Sequence, residues 1–284
     1  MIVITGATGN IGRVLVERLL ERGAPVRALT RDPDRAGLPS GAEVVRADLN
    51  DPASLAPALR GATALYLNLA AGGAQGGVAA VEAARAAGVG RIVLNSSISV
   101  VEEGPDSDSF IARMHADVEQ AVREAGVEWM FVRGGMYATN ALGWAPGVRA
   151  GSVVRGPYPD AVGAPVHEAD LAEVAAVGLL DGTGEHLHTA PVVTGPEAVT
   201  VAEQVAAVGR ALGREVRFEQ ISVDEAAAEM AGPHFPEQAA RTLLDYFRQT
   251  VGTKPVITDE VRRITGRPAR TFEEWARDHA ADFR

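Results

Sequence analysis

Three glycines stand at positions 6, 9 and 12, within Thr5-Gly6-Ala7-Thr8-Gly9-Asn10-Ile11-Gly12. A G-x-x-G-x-x-G spacing suits a phosphate cradle. The first glycine allows a sharp turn out of a strand. The second lets backbone approach a pyrophosphate, and the third lets the following helix pack closely on the sheet. The N-terminus of that helix then offers free N–H groups and a positive dipole end to the phosphates. The candidate phosphate-binding residues are therefore Gly6, Thr8, Gly9, Asn10, Ile11 and Gly12.

A second set of residues bears on which dinucleotide would bind. An NAD site usually places an acid at the end of the second strand, about 20 residues past the loop, to hold the ribose 2′-OH. Here that place is Thr30, followed by Arg31 and, one turn on, Arg35. Two guanidiniums suit a 2′-phosphate, so NADP(H) is the preferred cofactor and NAD(H) a possible one. Asp32 could serve as the acid, but it directly precedes Pro33 and reads as the start of a turn. His186 and His188 would share one strand face with no third ligand, so no metal site is expected. Asn95-Ser96-Ser97 fits a glycosylation sequon by chance only, since no secretory signal precedes it.

These residues need a scaffold, and the hydropathy pattern supplies one. Short apolar runs at 1–5, 26–30, 43–47, 62–68, 91–95 and 127–132 read as strands. Helical patterns at 11–22, 52–59, 77–87 and 111–124 separate them, and Gly23, Gly88 and Gly126 mark helix ends. The strands are near-continuous apolar runs, which belong to a parallel sheet covered on both faces. The expected fold is α/β, a doubly wound parallel Rossmann-type sheet with a smaller, mostly helical C-terminal lobe. Residues 134–167, rich in glycine and proline, read as loops and short strands. A helix at 168–180 and a strand around 188–193 follow. Beyond 200 the pattern is helical at 200–212, 222–230, 236–250, 257–264 and 271–282, with one strand at 215–219. The domain expectation is a dinucleotide-binding core over 1–150, taking in part of 165–195, and a substrate-side lobe over 151–284.

Composition excludes several classes. The 284 residues are 46% hydrophobic and 23% charged, ordinary for a globular protein. No cysteine is present, which removes disulfides, thiolate metal sites, iron–sulfur clusters and a Cys nucleophile. The net charge of −10 argues against a general nucleic-acid binder. No apolar run reaches the ~18 residues of a membrane span, and the N-terminus lacks a signal-peptide pattern, so a cytoplasmic protein without membrane partners is expected.

The wording Thr-Gly-Ala-Thr-Gly-Asn-Ile-Gly resembles the extended and atypical short-chain dehydrogenase/reductase superfamily, in particular its NmrA-like, NAD(P)-binding branch. Further resemblance lies in Arg46-Ala47-Asp48-Leu49, in Asn95-Ser96-Ser97, and in Val132-Arg133-Gly134-Gly135-Met136-Tyr137 with Asn140. It continues in Glu168-Ala169-Asp170-Leu171-Ala172 and in Thr265-Gly266-Arg267-Pro268 with Thr271-Phe272-Glu273-Glu274-Trp275. The resemblance implies that Asp48 and Leu49 contact the adenine. It also implies that Asn68, Leu69, Ala70, Asn95, Ser96 and Ser97, with Met136 beyond the sixth strand, belong to the cofactor and nicotinamide side.

The family's reductases use Tyr-x-x-x-Lys on the helix before the sixth strand, with a Ser after the fifth. None of Tyr66, Tyr137, Tyr158 or Tyr246 has Lys four residues on, and Lys254 is the only lysine. Family members commonly place Glu four residues after the Lys. Setting that position at Glu119 puts His115 in the Lys position, Ile111 in the Tyr position and Ser97 in the Ser position. Ile111 cannot transfer a proton, whereas His115 can hold a ribose hydroxyl. The catalytic candidates are therefore His115, Ser97 and Tyr137, and His115 also counts as cofactor-binding. Two functions remain open. One is an NADPH-dependent oxidoreductase acting on a small acceptor that needs little acid catalysis, such as a quinone, an azo compound or a conjugated carbonyl. The other is a non-catalytic redox sensor acting through a partner protein. A homodimer or a regulatory partner is compatible with either, and the substrate crevice is expected between core and lobe.

Overall fold

The computed structural model describes residues 1–69, 72–102, 109–232 and 237–284, the side chains of 102 and 239 excepted. Two compact units emerge. Met1–Gly135, Glu168–Val193 and Glu260–Arg267 form one; Met136–His167, Thr194–Asp259 and Pro268–Arg284 form the other.

The first unit alternates strand and helix: β1 (Ile2–Ile4), α1 (Asn10–Glu21), β2 (Val26–Thr30), β3 (Glu43–Arg46), α2 (Pro52–Ala58), β4 (Ala64–Asn68) and α3 (Gly73–Ala86). It continues with β5 (Arg91–Ser97), α4 (Ser99–Glu102), α5 (Phe110–Glu124) and β6 (Glu128–Gly134). After the segment of the second unit that carries α6 (Ala145–Gly151), β7 (Val153–Gly156) and β8 (Val162–Gly163), the first unit resumes with α7 (Glu168–Leu180) and β9 (Val192–Val193). The seven-stranded sheet runs β3-β2-β1-β4-β5-β6-β9, every pair parallel. This is the doubly wound Rossmann-type order, with the reversal beside β1.

Apolar strand residues fill the sheet because both faces are covered. Val3, Leu29, Leu65, Leu67, Ile92, Leu94 and Phe131 pack with Leu55, Leu59, Val81, Val118 and Val122 from the helices. Helix α7 is buried on nearly every side, and α1 packs on it. Arg18 and Arg22 of α1 reach the Glu173 carboxylate of α7 at 3.1 and 2.5 Å.

The second unit adds β10 (Val199–Thr200), α8 (Val201–Leu212), β11 (Arg217–Gln220), α9 (Val223–Met230) and α10 (Glu237–Thr250). Helix α11 (Glu260–Thr265) belongs to the first unit, and α12 (Phe272–Asp278) to the second. Strand β10 pairs with β8 antiparallel and β11 with β7 parallel. Capping boxes open α8, α9 and α12, each a Ser or Thr paired with a Glu three residues on. Trp275, Phe272, Phe283, Val148, Val205 and Val208 form the core.

The structure corrects several readings. The glycine- and proline-rich stretch 134–167 also holds a 3-10 turn at Ala138–Trp144 and helix α6, where Pro146 sits in the first turn and no N–H is missed. Helix α3 starts at Gly73 and runs through Gly76 and Gly77, because their missing side chains let it close on Leu49, Leu69 and Val118. The strand expected at 188–193 shrinks to Val192–Val193. His186 and His188 lie in a turn, His188 with φ +58°, so they share no strand face. Among the described residues no group of three or more His, Asp or Glu is placed to hold a metal. No helix among them is long and apolar enough to cross a membrane.

Candidate functional site

Strand β1 ends at the loop that the glycine spacing singled out. The Thr5 hydroxyl accepts from the Asn68 N–H at 2.8 Å and donates to the Tyr66 carbonyl at 3.2 Å, tying the C-terminal ends of β1 and β4 together. Gly6 then turns the chain with φ +61°, a conformation that favours glycine. Gly9 has extended backbone, φ −80° and ψ 173°, and its N–H returns to the Gly6 carbonyl at 3.0 Å. Gly12 faces inward, and a Cβ there would overlap the Gly6 carbonyl. The third glycine therefore serves helix packing rather than phosphate approach.

Helix α1 has no side-chain cap and no acid in its first turn. Its first N–H groups thus keep their capacity for an anion. Gly6, Thr8, Gly9 and Asn10 are exposed at this end. The Ile11 side chain is buried in the core, so only its backbone N–H can serve a phosphate.

A cavity of about 340 Å³ opens beside this loop, lined by Thr5, Gly6, Thr8, Leu29, Thr30, Arg31, Asp32, Arg35, Ala47, Asp48, Leu49 and Leu55. The phosphate loop, the two arginines after β2 and the Asp48-Leu49 pair after β3 thus converge on one space. Strand register accounts for this: Thr30 pairs with Arg46, and the Ala47 N–H donates to the Thr30 carbonyl at 3.0 Å. Asp48 is set by its neighbours. Its N–H donates to Ser54 Oγ at 3.0 Å, and its Oδ1 accepts from the Asn50 N–H at 3.0 Å. Leu49 lies under α3, where a Cβ on Gly76 would come within 2.9 Å of its carbonyl. Leu29 and Leu55 were not singled out from sequence, and Thr5, Thr30 and Ala47 were named there only as neighbours or markers of the expected contacts. The parallel order alone places the ends of β1, β2 and β3 side by side, and that was the available signal. Asp32 lines the cavity too, its N–H donating to Thr30 Oγ1 at 3.3 Å.

The residues assigned to the nicotinamide side lie outside that lining. Asn68 and Asn95 are register partners at the ends of β4 and β5. Leu69 is buried against Gly77 of α3, and Ala70 lies outside the described residues. Ser97 Oγ accepts from the Ser99 N–H at 3.2 Å. Ser96 requires correction as a cofactor contact. Its side chain is fully buried, and its hydroxyl donates to Glu119 Oε1 at 2.7 Å beneath α5. Met136 and Tyr137 open the second unit. Met136 packs against Gly163 and its carbonyl accepts from the Val166 N–H at 2.7 Å, while Tyr137 bridges to Val166 just before the 3-10 turn.

His115 is half-buried on α5, with Nδ1 at 2.9 Å from the Ile111 carbonyl. A carbonyl only accepts, so Nδ1 carries the proton and Nε2 of the neutral ring is an acceptor. Burial pushes the imidazole below its ordinary value, against the opposing pull of the Ile111 carbonyl and Glu119. The ring is therefore neutral at pH 7 and is no proton donor at Nε2.

A turn built on Gly6, an uncapped helix end and two guanidiniums around one cavity form a donor set that fits a dinucleotide phosphate. The family description "NAD(P)H-binding" matches residues 6–181. The chain belongs to this NAD(P)H-binding family, within the atypical short-chain dehydrogenase/reductase group, and NAD(P)H is its cofactor. Over 284 residues, covering 100% of this chain and 99% of the relative, it is 43% identical to (4-alkanoyl-5-oxo-2,5-dihydrofuran-3-yl)methyl phosphate reductase of Streptomyces griseus. It is 34% identical to the NAD(P)H azoreductase of Xenophilus azovorans, covering 100% of this chain and 99% of that one. The NADPH-dependent quinone oxidoreductase QOR2 of Escherichia coli, solved with NADPH, superposes with a TM-score of 0.78 at 26% identity, over 97% of this chain and 98% of that chain.

Proposed function

We propose that this chain is an NADPH-dependent oxidoreductase whose acceptor is a conjugated carbonyl compound of the alkanoyl-dihydrofuranone phosphate type. The observation that carries this reading is the α5 site. In the register that the resemblance implies through Glu119, hydrocarbon Ile111 takes the place of the family's acid, and His115 has its one ring proton committed to the Ile111 carbonyl. A simple ketone would miss general acid catalysis, typically worth ~100- to 10,000-fold. A ring double bond conjugated to both a lactone and an alkanoyl carbonyl misses it far less, since charge gained at the ring spreads over two carbonyl oxygens.

NADPH, when bound, supplies hydride. The chain's residues bind and orient. The α1 N-terminus and Gly6–Asn10 hold the pyrophosphate, Arg31 and Arg35 take the 2′-phosphate, and Asp48 and Leu49 border the adenine. His115 Nε2 accepts a ribose hydroxyl. Asn68, Asn95 and Ser97 border the nicotinamide. The reduced acceptor then takes one proton, from Ser97, Tyr137 or water, so one hydride and one proton are added in all.

The azoreductase and quinone oxidoreductase relatives support an electron-poor acceptor, and the 43% identical reductase supports the phosphorylated conjugated lactone in particular. The test is NADPH consumption by the purified protein with an alkanoyl-dihydrofuranone phosphate, a quinone and an unactivated ketone. The expected order of kcat/KM is lactone, quinone, ketone. Tight NADPH binding with no turnover of any acceptor would favour the nucleotide-sensing role instead.

A further inference from the structure

We infer that Arg13 is a positioning residue for cofactor selection, locking the loop that carries Arg31 and Arg35 onto the phosphate-loop helix. The inference rests on the NADPH reading above.

Arg13 is the fourth residue of α1, and its N–H donates to the Gly9 carbonyl at 2.9 Å. Its backbone is thus part of the phosphate-loop turn. Its side chain reaches the other way. Nη1 donates to the Gly37 carbonyl at 2.5 Å, and Nη2 to the Ala36 carbonyl at 3.0 Å. Those carbonyls directly follow the 3-10 turn Pro33–Arg35. Ala36 is buried, its N–H returns to the Pro33 carbonyl at 3.2 Å, and Gly37 reverses the chain with φ +57°.

A cation in the first turn of a helix faces the positive end of the dipole, an unfavourable place. Two charge-assisted bonds to loop carbonyls offset that cost. Arg31 and Arg35 are themselves exposed, and the loop that carries them is tied by the Asp32 N–H to Thr30 Oγ1 at one end and anchored by buried Ala36 at the other. A fork that grips two consecutive carbonyls fixes the loop's direction as well as its position. Lysine, with one ammonium, cannot reproduce that planar grip. Pre-setting the loop saves the ordering cost on binding, and only the cofactor with a 2′-phosphate gains from it.

The test measures Kd for NADPH and for NADH in the wild type, Arg13→Met, Arg13→Lys, Arg35→Ala and the double variant Arg13→Met/Arg35→Ala, with thermal unfolding as the folding check. Arg13→Met is expected to weaken NADPH about tenfold and to leave NADH within about twofold, the size of a charge-assisted contact partly lost. Arg13→Lys, which keeps the charge and so the fold's electrostatics, should fall between. The double variant should lose less NADPH affinity than the two single losses combined, because Arg13 then has only Arg31 left to position. A wild type without NADPH preference would overturn the cofactor reading and this inference together. A wild type that prefers NADPH, with Arg13→Met and Arg13→Lys keeping the same ratio, would overturn this inference alone. Equal weakening of both cofactors, or full additivity in the double variant, would also overturn it, by making Arg13 a general structural residue or a direct contact.

Discussion

Glu119 of α5 and Arg133 of β6 form a two-armed ion pair, Nε to Oε1 at 2.9 Å and Nη2 to Oε2 at 2.6 Å, with the carboxylate fully buried. Ser96 and Arg123 complete its shell at 2.7 and 3.0 Å. One carboxylate thus fastens the helix that carries His115 to the ends of β5 and β6. Removing one partner of such a pair leaves an uncompensated buried charge, which typically costs about 3–5 kcal/mol. Glu119→Ala is therefore expected to lower the unfolding free energy by about that amount. A urea titration checks it. The paired change Glu119→Leu/Arg133→Met should recover much of the loss, because both charges then leave together.

The three loop glycines should respond differently to substitution. At Gly9 the backbone is ordinary, and a Cβ would meet only the Gly6 carbonyl at 3.3 Å. Gly9→Val is expected to keep the fold and abolish NADPH binding, by blocking backbone approach to the pyrophosphate. Gly6→Ala should cost about 1–2 kcal/mol of stability from its left-handed backbone. Gly12→Val should unseat α1 itself, since its side chain would overlap the Gly6 carbonyl. Circular dichroism beside cofactor titration separates the three. Unchanged NADPH affinity in a folded Gly9→Val protein would make the loop a turn only.

Selectivity is expected to follow from the cavity after β2, which Arg31, Asp32, Arg35 and Asp48 line together. NADPH is expected to bind more tightly than NADH. Arg31→Ala should remove most of the difference, about 1.5–3 kcal/mol or ten- to a hundredfold. Asp32→Asn should sharpen the preference for NADPH by removing a like charge to the 2′-phosphate. Isothermal titration of both nucleotides measures each effect.

The sheet was legible because strands such as β1 and β4 are short buried apolar runs, with β3 marked only by the two half-buried valines between Glu43 and Arg46, and the phosphate loop because strand, glycines and helix follow one another within twelve residues. What escaped depends on contacts distant in sequence or on local packing. Glu119 served as a register marker, but its partners Ser96 and Arg133 lie 23 and 14 residues away and meet it only once β5, α5 and β6 are assembled. The misplacement of Ser96 was avoidable: side chains alternate along a strand, so Asn95 and Ser97 share a side that Ser96 does not. Helix α6 was hidden by its glycines and Pro146, residues that composition reads as loop. The arginine grip on Ala36 and Gly37 left no trace, since Arg13 matches no motif.

His115 supplies the last prediction. Its imidazole is held below its ordinary value by burial, with Nδ1 bonded to the Ile111 carbonyl. The unfolded chain has a His value near ~6.5, so below that pH the unfolded state binds the proton more readily than the fold does. The contribution of neutral His115 to stability is therefore fully present above that value. It is lost as pH falls from there through the lower folded value. Wild type should lose stability relative to His115→Gln over that window and match its pH dependence above it. Cofactor affinity should be flat on the alkaline side, where Nε2 remains an acceptor, and should fall on the acid side, where a protonated ring can no longer accept a ribose hydroxyl. Following the His115 ring proton by NMR against pH reads the value directly. A midpoint above the ordinary histidine value would mean a charged His115 at neutral pH. It would then be a donor like the lysine it stands in for, and a proton source for the acceptor would exist on α5 after all.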